Sequence, residues 1–402
     1  MVSNTPSPSH RSRRARLLLA IALAMAPVAV AASPAKPSVV PVDARVPVPP
    51  TAIRSGDAWH FLYELRLSNF SGRPMPLEHV EVLGEDGTPF ARFAESELAT
   101  MLAIPAQAAA TEATTLAPGT IGTLFLEVVV PATGAPPAHL SHRLRFTSPA
   151  GTDPSRTTIE GPRVAVGPAQ GAVVLGPPLG GGNWLAANGL SNESDHRRTL
   201  VTVDGQARIA QRYAVDFVQL DDEGRAFSGD ASKNANWTGY RAPVLAVADG
   251  QVTAVRGDLP DNTPGQLPAT KISLDTIGGN TVALDIGDGR HVLYGHLVPG
   301  SIRVAPGQKV RKGDVIGELG NSGQSDAPHL HLQVADAGSA LAAEGLPYVF
   351  ACFRDRGRVT SVDAALEAPG AWKPVQGGAI RSKALPGANE VLSFCDQPRP
   401  RA

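Results

Sequence analysis

The sequence predicts an all-β protein with two β domains in series, and three observations support this. The 402-residue chain contains 41 Gly and 36 Pro, which favour turns and short strands over long helices. Runs in which apolar and polar residues alternate recur along the chain, and such alternation is typical of strands with one buried face. A chain of this length also exceeds the usual size of a single hydrophobic core.

The charge balance excludes a protein adapted to nucleic acid. The chain has 36 Lys and Arg against 37 Asp and Glu, which gives a formal net charge of -1 at pH 7. Such a chain has no basic field that would attract a polyanion. At 43% hydrophobic and 18% charged residues, the composition is that of a globular protein.

Residues 1–32 are predicted to be a signal peptide. Arginines between Arg11 and Arg16 form a positive segment, and residues 17–30 are an apolar run that is short for a membrane span. Small residues around Ala31 suit cleavage, so we expect export to the periplasm or the medium, with no stable membrane span after processing. A permanent membrane anchor is the alternative, and a twin-arginine export route stays open.

The first β domain is predicted at residues 51–150, after a Pro/Ala-rich linker at 33–50. Turn signals such as Glu85-Asp86-Gly87 separate its strand-like runs. The runs are residues 60–67, 79–83, 123–130 and 142–146. An immunoglobulin-like β-sandwich fits this pattern best. The domain has no cluster of catalytic residue types, so we expect it to pack, space or bind.

The second β domain is predicted at residues 184–345, after a Gly- and Pro-rich linker at 151–183. Its strand-like runs are residues 199–203, 207–220, 244–255, 281–286, 291–296 and 329–334. Residues 304–317 resemble the hairpin of lipoyl-like barrels, with Pro-Gly and Lys-Gly turns that reverse a short strand twice. An antiparallel, barrel-like sheet is therefore expected.

The two cysteines, Cys352 and Cys395, lie in a predicted C-terminal tail at residues 346–402. In an exported chain two thiols are expected to form one disulfide, which would hold the tail against the body. A cysteine-based metal site or nucleophile is the alternative, but no partner motif accompanies it.

The strongest chemical signal is the pair His329 and His331. Alternate side chains on a strand share a face, so these two imidazoles are expected to lie roughly 6–7 Å apart. His296 lies on a Gly-flanked segment that could approach them, and Asp216 is a carboxylate within an apolar strand that needs a metal, an arginine or backbone donors. A catalytic zinc site uses three protein ligands and leaves one position for water, while a nearby imidazole handles protons.

Several separate motifs, in this order, resemble the lysostaphin or LytM-type peptidoglycan endopeptidases of metallopeptidase family 23. The motifs are Arg212-x-x-x-Asp216, residues 242–250, Leu293-Tyr294-Gly295-His296-Leu297, Gly320-Asn321-Ser322-Gly323 and Pro328-His329-Leu330-His331-Leu332. The resemblance covers about residues 196–336, a third of the chain. It implies an enzyme with one Zn²⁺ per chain that hydrolyses peptide bonds in stem or cross-link peptides of bacterial cell-wall peptidoglycan.

Carried over residue by residue, the resemblance implies that Asp216 and His331 are zinc ligands and that His296 and His329 are catalytic. One position departs from the family pattern. Arg212 stands where the family has its first histidine ligand, and a guanidinium has no lone pair to donate to zinc. Arg212 is therefore predicted either to pair with Asp195, Glu193 or another nearby carboxylate, or to bind substrate.

His196 is the predicted replacement for the missing ligand, on an argument from hairpin register. If a hairpin has a three-residue loop at Val203-Asp204-Gly205, His196 faces Arg212 and shares a strand face with Asp216. If the loop contains only Asp204 and Gly205, His196 faces Tyr213 and points away unless a bulge intervenes. The alternative is an exposed loop histidine. His291 is predicted to be structural.

Two functions follow from these residues. The first is a secreted zinc metalloendopeptidase acting on peptidoglycan. The second is a degenerate, non-catalytic module that binds or activates another cell-wall hydrolase. Arg212 favours the second, whereas the joint presence of Asp216, His296, His329 and His331 favours the first. The oligomeric state stays open.

Overall fold

The computed structural model describes residues 39–104, 113–147, 157–168, 171–367, 372–375 and 377–395. The predicted signal peptide at 1–32 lies outside the described residues, and its prediction stands untested. All described residues belong to one compact unit. Among them, no helix combines the length and the apolar character needed to cross a bilayer.

The first half of the described chain contains one helix and ten strands. They are β1 Val42–Arg45, β2 Ile53–Ser55, β3 Ala58–Asn69, β4 Met75–Leu83, β5 Pro89–Ala94, α1 Glu95–Met101, β6 Leu102–Ala103, β7 Thr115–Leu116, β8 Ile121–Pro131, β9 His139–Phe146 and β10 Thr158–Ala165.

The second half contains the remaining elements. They are β11 Val173–Leu175, β12 Asn183–Ala187, α2 Asp195–Arg198, β13 Val201–Val203, β14 Gln206–Arg208, β15 Val215–Leu220, a 3-10 turn at Asn234–Asn236, β16 Pro243–Leu245, β17 Gly250–Arg256, β18 Asn280–Asp285, β19 His291–Leu297, β20 Lys309–Val310, β21 Val315–Glu318, β22 Leu330–Ala335, β23 Tyr348–Arg358, α3 Val362–Glu367, β24 Ile380–Ala384 and β25 Glu390–Phe394.

The first domain is a sandwich of two antiparallel sheets. One sheet has the order β1-β3-β8-β6 with β2 paired to β3, and the other has the order β10-β9-β4-β5 with β7 paired to β4. Alternating residues of both sheets, among them Phe61, Leu126, Val80 and Leu144, are fully buried in one shared core. The prediction of an all-β chain with an N-terminal β-sandwich is confirmed, and its immunoglobulin-like type stays a prediction.

The second domain is built on one long sheet. Its strand order is β11-β23-β25-β12-β15-β22-β19-β18-β17-β20, with β24 paired to β23. The strands at its centre are buried almost throughout, and Phe217, Tyr294, Leu330 and Leu332 are fully buried. A second small sheet pairs β16 with β21. Strand β20 lies between turns at Gly307 and Gly313, both with positive φ, as the sequence predicted.

The predicted linkers and tail contribute strands, so these parts of the predicted organisation were too simple. Strand β1 lies inside the predicted linker 33–50, and β10 and β11 lie inside 151–183. The Pro and Gly content of these segments led to the prediction of linkers. In β10, however, the pair Gly161-Pro162 falls at a bulge between Glu160 and Arg163, where the missing backbone N–H of proline costs no ladder hydrogen bond.

The predicted C-terminal tail is an extension of the large sheet. Strand β25 pairs with β12, and β23 pairs with both β25 and β24. The disulfide between Cys352 and Cys395 joins β23 to the residue that follows β25, with the two Cα atoms 5.6 Å apart. The predicted pairing is present, and it links neighbouring strands of a folded sheet instead of holding down a loose tail.

Candidate metal and catalytic site

The candidate site lies on three adjacent strands at the centre of the large sheet. Asp216 on β15 is directly opposite His331 on β22. On the other side of β22, His331 is opposite Gly295 of β19, one residue before His296. The backbone ladder thus brings together residues that are 115 positions apart in sequence.

His296 is held in an uncommon backbone conformation. Its φ is +62°, in the left-handed region, and its N–H donates to the carbonyl of Gly278 at 2.8 Å. Its ring Nδ1 lies 2.7 Å from the carbonyl of Ser322, so Nδ1 carries the proton and Nε2 keeps a lone pair. Gly323 follows Ser322 in the Gly320-Asn321-Ser322-Gly323 motif. A Cβ atom at Gly323 would lie 2.3 Å from the backbone of Gly279, which explains why this position is a glycine.

His331 is oriented by Gln333, its neighbour on the same strand face. Gln333 turns its amide N–H groups toward the carbonyls of Ser339 and Ala340, so its Oε1 accepts from His331 Nε2 at 2.9 Å. The lone pair of His331 is therefore on Nδ1, which lies 3.0 Å from Asp216 Oδ1.

His196 reaches the site from the short helix α2 and not from a strand. Its Nδ1 donates to the carbonyl of Asn188 at 3.1 Å, and its Nε2 lies 3.3 Å from Asp216 Oδ2. Asn188 also donates from its side chain to Asp216 Oδ2 at 3.1 Å. The predicted replacement ligand thus lies beside Asp216.

The register argument that led to His196 was wrong in its geometry. The loop contains only Asp204 and Gly205, both with positive φ, because Val203 pairs with Gln206. That register would have pointed His196 away from the site. The hairpin, however, spans only Val201 to Arg208, which pair with each other. His196 therefore lies before it, and its direction is set by α2.

The donor set fits a divalent metal. His196, Asp216 and His331 each offer one ligand atom, and these atoms lie within 4.8 Å of one another. Their hydrogen bonds leave two imidazole lone pairs facing a buried carboxylate, and a cation would stabilise lone pairs and negative charge held this close together. A carbonyl or amide oxygen behind each metal-binding imidazole is the usual support for a zinc ligand.

His329 completes the cluster. Its Nδ1 donates to the carbonyl of Ala327 at 2.8 Å, and its Nε2 lies 3.5 Å from Asp216 Oδ1. The rings of His329 and His296 are neighbours, with centroids 4.6 Å apart. All four predicted histidines and Asp216 therefore line one cleft.

Burial and the carboxylate together set the charges of the cluster. Burial would raise the pKa of Asp216, but His196 and His329 outweigh it and hold that pKa well below its ordinary value. Burial lowers the pKa of His196 to about 4 and that of His296 well below the ordinary range. For His329, the facing Asp216 outweighs burial and raises the pKa.

The cleft over the cluster has a volume of about 460 Å³. Its floor is the histidine cluster, and its walls include Ile277, Gln324 and the helix α3 residues Asp363 and Leu366. The C-terminal extension thus supplies one wall. A cleft of this size admits part of an extended peptide.

Arg212 lies outside the cleft, and its contacts match the alternative of a carboxylate partner instead of the predicted contact with substrate. Its side chain is buried, and its guanidinium donates to Glu64 and, at 2.6 Å, to Glu344. Neither Asp195 nor Glu193, the partners first considered, is the one that it contacts. Paired guanidinium groups buried in this way are unavailable to a substrate.

Sequence reasoning missed two supporting residues. Gln333 follows His331 by two positions and shares its strand face, so the period of the strand could have identified it. Asn188 lies in a turn after β12 with a φ of +47°, and no local pattern connects it with Asp216, 28 residues later.

The fold and the site define a β-sheet protein with a candidate metal centre. Residues 237–343 match the model of peptidase family M23. This match confirms the resemblance: residues 237–343 carry a peptidase family M23 domain. The matched segment contains His296, His329 and His331, whereas His196 and Asp216 precede it.

Individual relatives are similar to parts of the chain. Endolysin 2638A of Staphylococcus phage 2638A is 48% identical over 60 residues, 14% of this chain and 12% of that relative, so the chain spans about an eighth of its length. The catalytic domain of the prophage-encoded M23 protein EnpA from Enterococcus faecalis is 18% identical, with 44% of this chain and 95% of that chain covered and a TM-score of 0.25. The catalytic domain of lysostaphin from Staphylococcus simulans is 24% identical, with 35% and 78% covered and a TM-score of 0.20. The family assignment depends on the family model and not on these superpositions.

Proposed function

We propose that this protein is a zinc metalloendopeptidase that hydrolyses peptide bonds in the stem or cross-link peptides of bacterial cell-wall peptidoglycan. The observation that carries the proposal is the convergence of His196, Asp216 and His331 within 4.8 Å at the floor of a cleft. The family M23 match and the endolysin relative support peptidoglycan as the substrate. Export to the periplasm or the medium stays part of the proposal.

His196, Asp216 and His331 would hold one Zn²⁺ per chain. The ion, when bound, supplies Lewis acidity that polarises the scissile carbonyl and makes water acidic at neutral pH. Asp216 contributes the negative charge, and the carbonyl of Asn188 and the amide of Gln333 keep the two imidazoles in the tautomers that ligate.

We assign proton handling and oxyanion stabilisation to His296 and His329. The Nδ1 atom of each ring donates to a backbone carbonyl, so each keeps its Nε2 for the reaction. One Nε2 can take the proton from the attacking water, and a protonated ring can donate to the carbonyl oxygen as it gains negative charge. The same rings can return a proton to the leaving amine.

The test measures metal content and activity of the purified full chain. We expect about one zinc per chain and release of soluble peptides from purified peptidoglycan. His196→Ala should lose both the metal and the activity, because two ligands hold zinc poorly. His79→Ala, which removes an exposed imidazole of sandwich strand β4, is the matched control and should retain both.

A chain without metal that releases no fragments would reject the proposal and favour the non-catalytic module. Zinc that survives His196→Ala would leave the enzyme in place but reject His196 as its third ligand. Arg212 was the sequence feature in favour of a degenerate module. Its burial among carboxylates removes that argument, because His196 is available to take the ligand position.

A further inference from the structure

We infer that the N-terminal sandwich is part of the metal site: Glu64 of β3 is a positioning residue that holds the His196 segment in place. The inference rests on the proposed function, since it concerns His196 as a metal ligand. It goes further by assigning a role to the sandwich and to the arginine that replaced the family's histidine.

The segment that carries His196 cannot hold its own conformation. Helix α2 has only four residues, Asp195–Arg198, and one turn of helix is unstable in water by itself. Its Ser194 N-cap has no side-chain capping bond, because the hydroxyl donates to the carbonyl of Asn188 instead. The direction of His196 therefore depends on what surrounds the segment.

Residues on both sides of His196 are anchored on the sandwich. Asn192 donates from its backbone to Glu127 at 2.8 Å and from its side chain to the carbonyl of Phe125 at 2.9 Å. Arg198 donates to the carbonyl of Thr100 at 3.0 Å, and its guanidinium lies 4.6 Å from the centre of the Phe125 ring. These contacts join the segment to β8 and to helix α1.

Arg197, next to the ligand, makes the deepest of these anchors. It is 1% exposed, donates to the carboxylate of Glu64 and donates to the carbonyl of Tyr63 at 2.8 Å. Glu64 is itself 3% exposed. A buried guanidinium is tolerated only with a carboxylate partner, so Glu64 fixes where Arg197, and therefore His196, can lie.

Glu64 also accounts for Arg212. The same Oε1 atom accepts from Arg197 and from Arg212, and Glu344 neutralises the second guanidinium. Glu64 thus contacts both Arg212, which stands where the family has its first histidine ligand, and Arg197, which is next to the proposed replacement ligand His196. Two buried arginines, the buried Glu64 and the half-buried Glu344 form a network without excess charge.

The experiment compares zinc affinity, measured by competition with a chromophoric chelator, in the purified full chain and its variants. We expect Glu64→Gln to raise the zinc dissociation constant 10- to 100-fold, the range typical for a residue that orients a ligand. Glu64→Asp, which keeps the charge, should recover part of the loss. Asp57→Asn is the matched control: it removes the Arg381–Asp57 ion pair, which also joins the sandwich to the second domain but includes no residue of the His196 segment.

Circular dichroism establishes that each variant is folded. Should Glu64→Gln fail to fold, the zinc affinities of Arg197→Lys and Glu127→Gln test the inference instead. The first weakens the Arg197–Glu64 anchor and the second weakens the Asn192–Glu127 anchor, and each leaves the other anchor in place. A folded anchor variant with wild-type zinc affinity, or an equal loss in Asp57→Asn, would overturn the inference. A wild-type chain that binds no zinc would instead reject the proposed function, so the two failures are distinguishable.

Discussion

At the scale of single residues, the site depends on hydrogen bonds that fix which nitrogen of each imidazole carries a proton. His196 and His331 present lone pairs to Asp216 only because Asn188 and Gln333 accept from their other ring nitrogens. The backbone of His296 is held at a positive φ so that its ring meets the carbonyl of Ser322. Supporting residues of this kind influence a metal site nearly as strongly as its ligands.

Gln333→Ala should therefore weaken zinc binding although it removes no ligand. We expect the dissociation constant to rise 10- to 100-fold, because His331 loses the acceptor that fixes its tautomer. Chelator competition on the purified chain measures this. Gln251→Ala, which removes an exposed glutamine of strand β17, is the control, and equal affinities in both variants would contradict the role of Gln333.

A second prediction at this scale concerns pH and His142, which lies buried in the sandwich core. Its Nδ1 donates to the carbonyl of Pro162 at 2.6 Å and its Nε2 accepts from Tyr63 Oη at 2.7 Å, and burial lowers its pKa to about 4. The unfolded chain binds this proton below about pH 6.5, whereas the folded chain resists it until about pH 4. The stability is thus fully present above pH 6.5 and falls as the pH is lowered toward 4, by up to about 3 kcal/mol from this group.

Urea unfolding of wild type and His142→Gln at pH 7 and pH 5 checks this prediction. The free energy of unfolding should fall less between these pH values in the variant, by about 2 kcal/mol, because the variant lacks this titration. His79→Gln, at an exposed position of β4, should keep the wild-type dependence. An unchanged slope in His142→Gln would contradict the prediction.

At the scale of elements, the C-terminal strands belong to the body of the second domain. Strand β25 lies against β12, the neighbour of the Asp216 strand, and helix α3 supplies one wall of the cleft. The disulfide between Cys352 and Cys395 closes the loop that contains α3. Its loss is therefore expected to affect the sheet as well as the cleft wall.

Cys352→Ser with Cys395→Ser should destabilise the chain by about 3–4 kcal/mol, because a loop of this size gains conformational entropy when the unfolded chain is not cross-linked. Urea unfolding without reductant measures the difference. Reductant should bring wild type to the level of the double variant and leave the double variant unchanged. A loss below about 1 kcal/mol would show that the strand pairing alone holds the extension.

At the scale of the whole molecule, the two domains meet around buried charges. Arg197 and Arg212 belong to the second domain, and Glu64 belongs to the first. Removal of one partner from such a network leaves an uncompensated buried charge, which is strongly destabilising. The interface is thus sensitive to single changes in a way that an exposed ion pair is not.

Arg212→His, which restores the residue type of the family pattern, should destabilise the chain by about 3–5 kcal/mol, because Glu344 and Glu64 lose a buried partner. Urea unfolding measures the change. Arg208→His is the matched control: its pair with Asp336 is more exposed, so a change of at most about 1 kcal/mol is expected. A stable Arg212→His chain would show that the network contributes little to folding.

The sequence by itself determined the all-β class and the residue types of the site. Alternation marks strands, and His329 with His331 is a local spacing that any strand converts into one face. Asp216 could be identified because it is a carboxylate with apolar neighbours in sequence. Each of these inferences depends on residues that are close in sequence, which is why the sequence alone could support them.

Only the tertiary structure decided where His196 points and what Arg212 contacts. Register reasoning assumed that a hairpin extends to His196. The hairpin instead begins at Val201, opposite Arg208, and His196 belongs to a single helical turn before it. The direction of that turn is set by Glu64, 133 residues before Arg197. Contacts over such separations depend on how two domains pack, and no local period of the sequence encodes them.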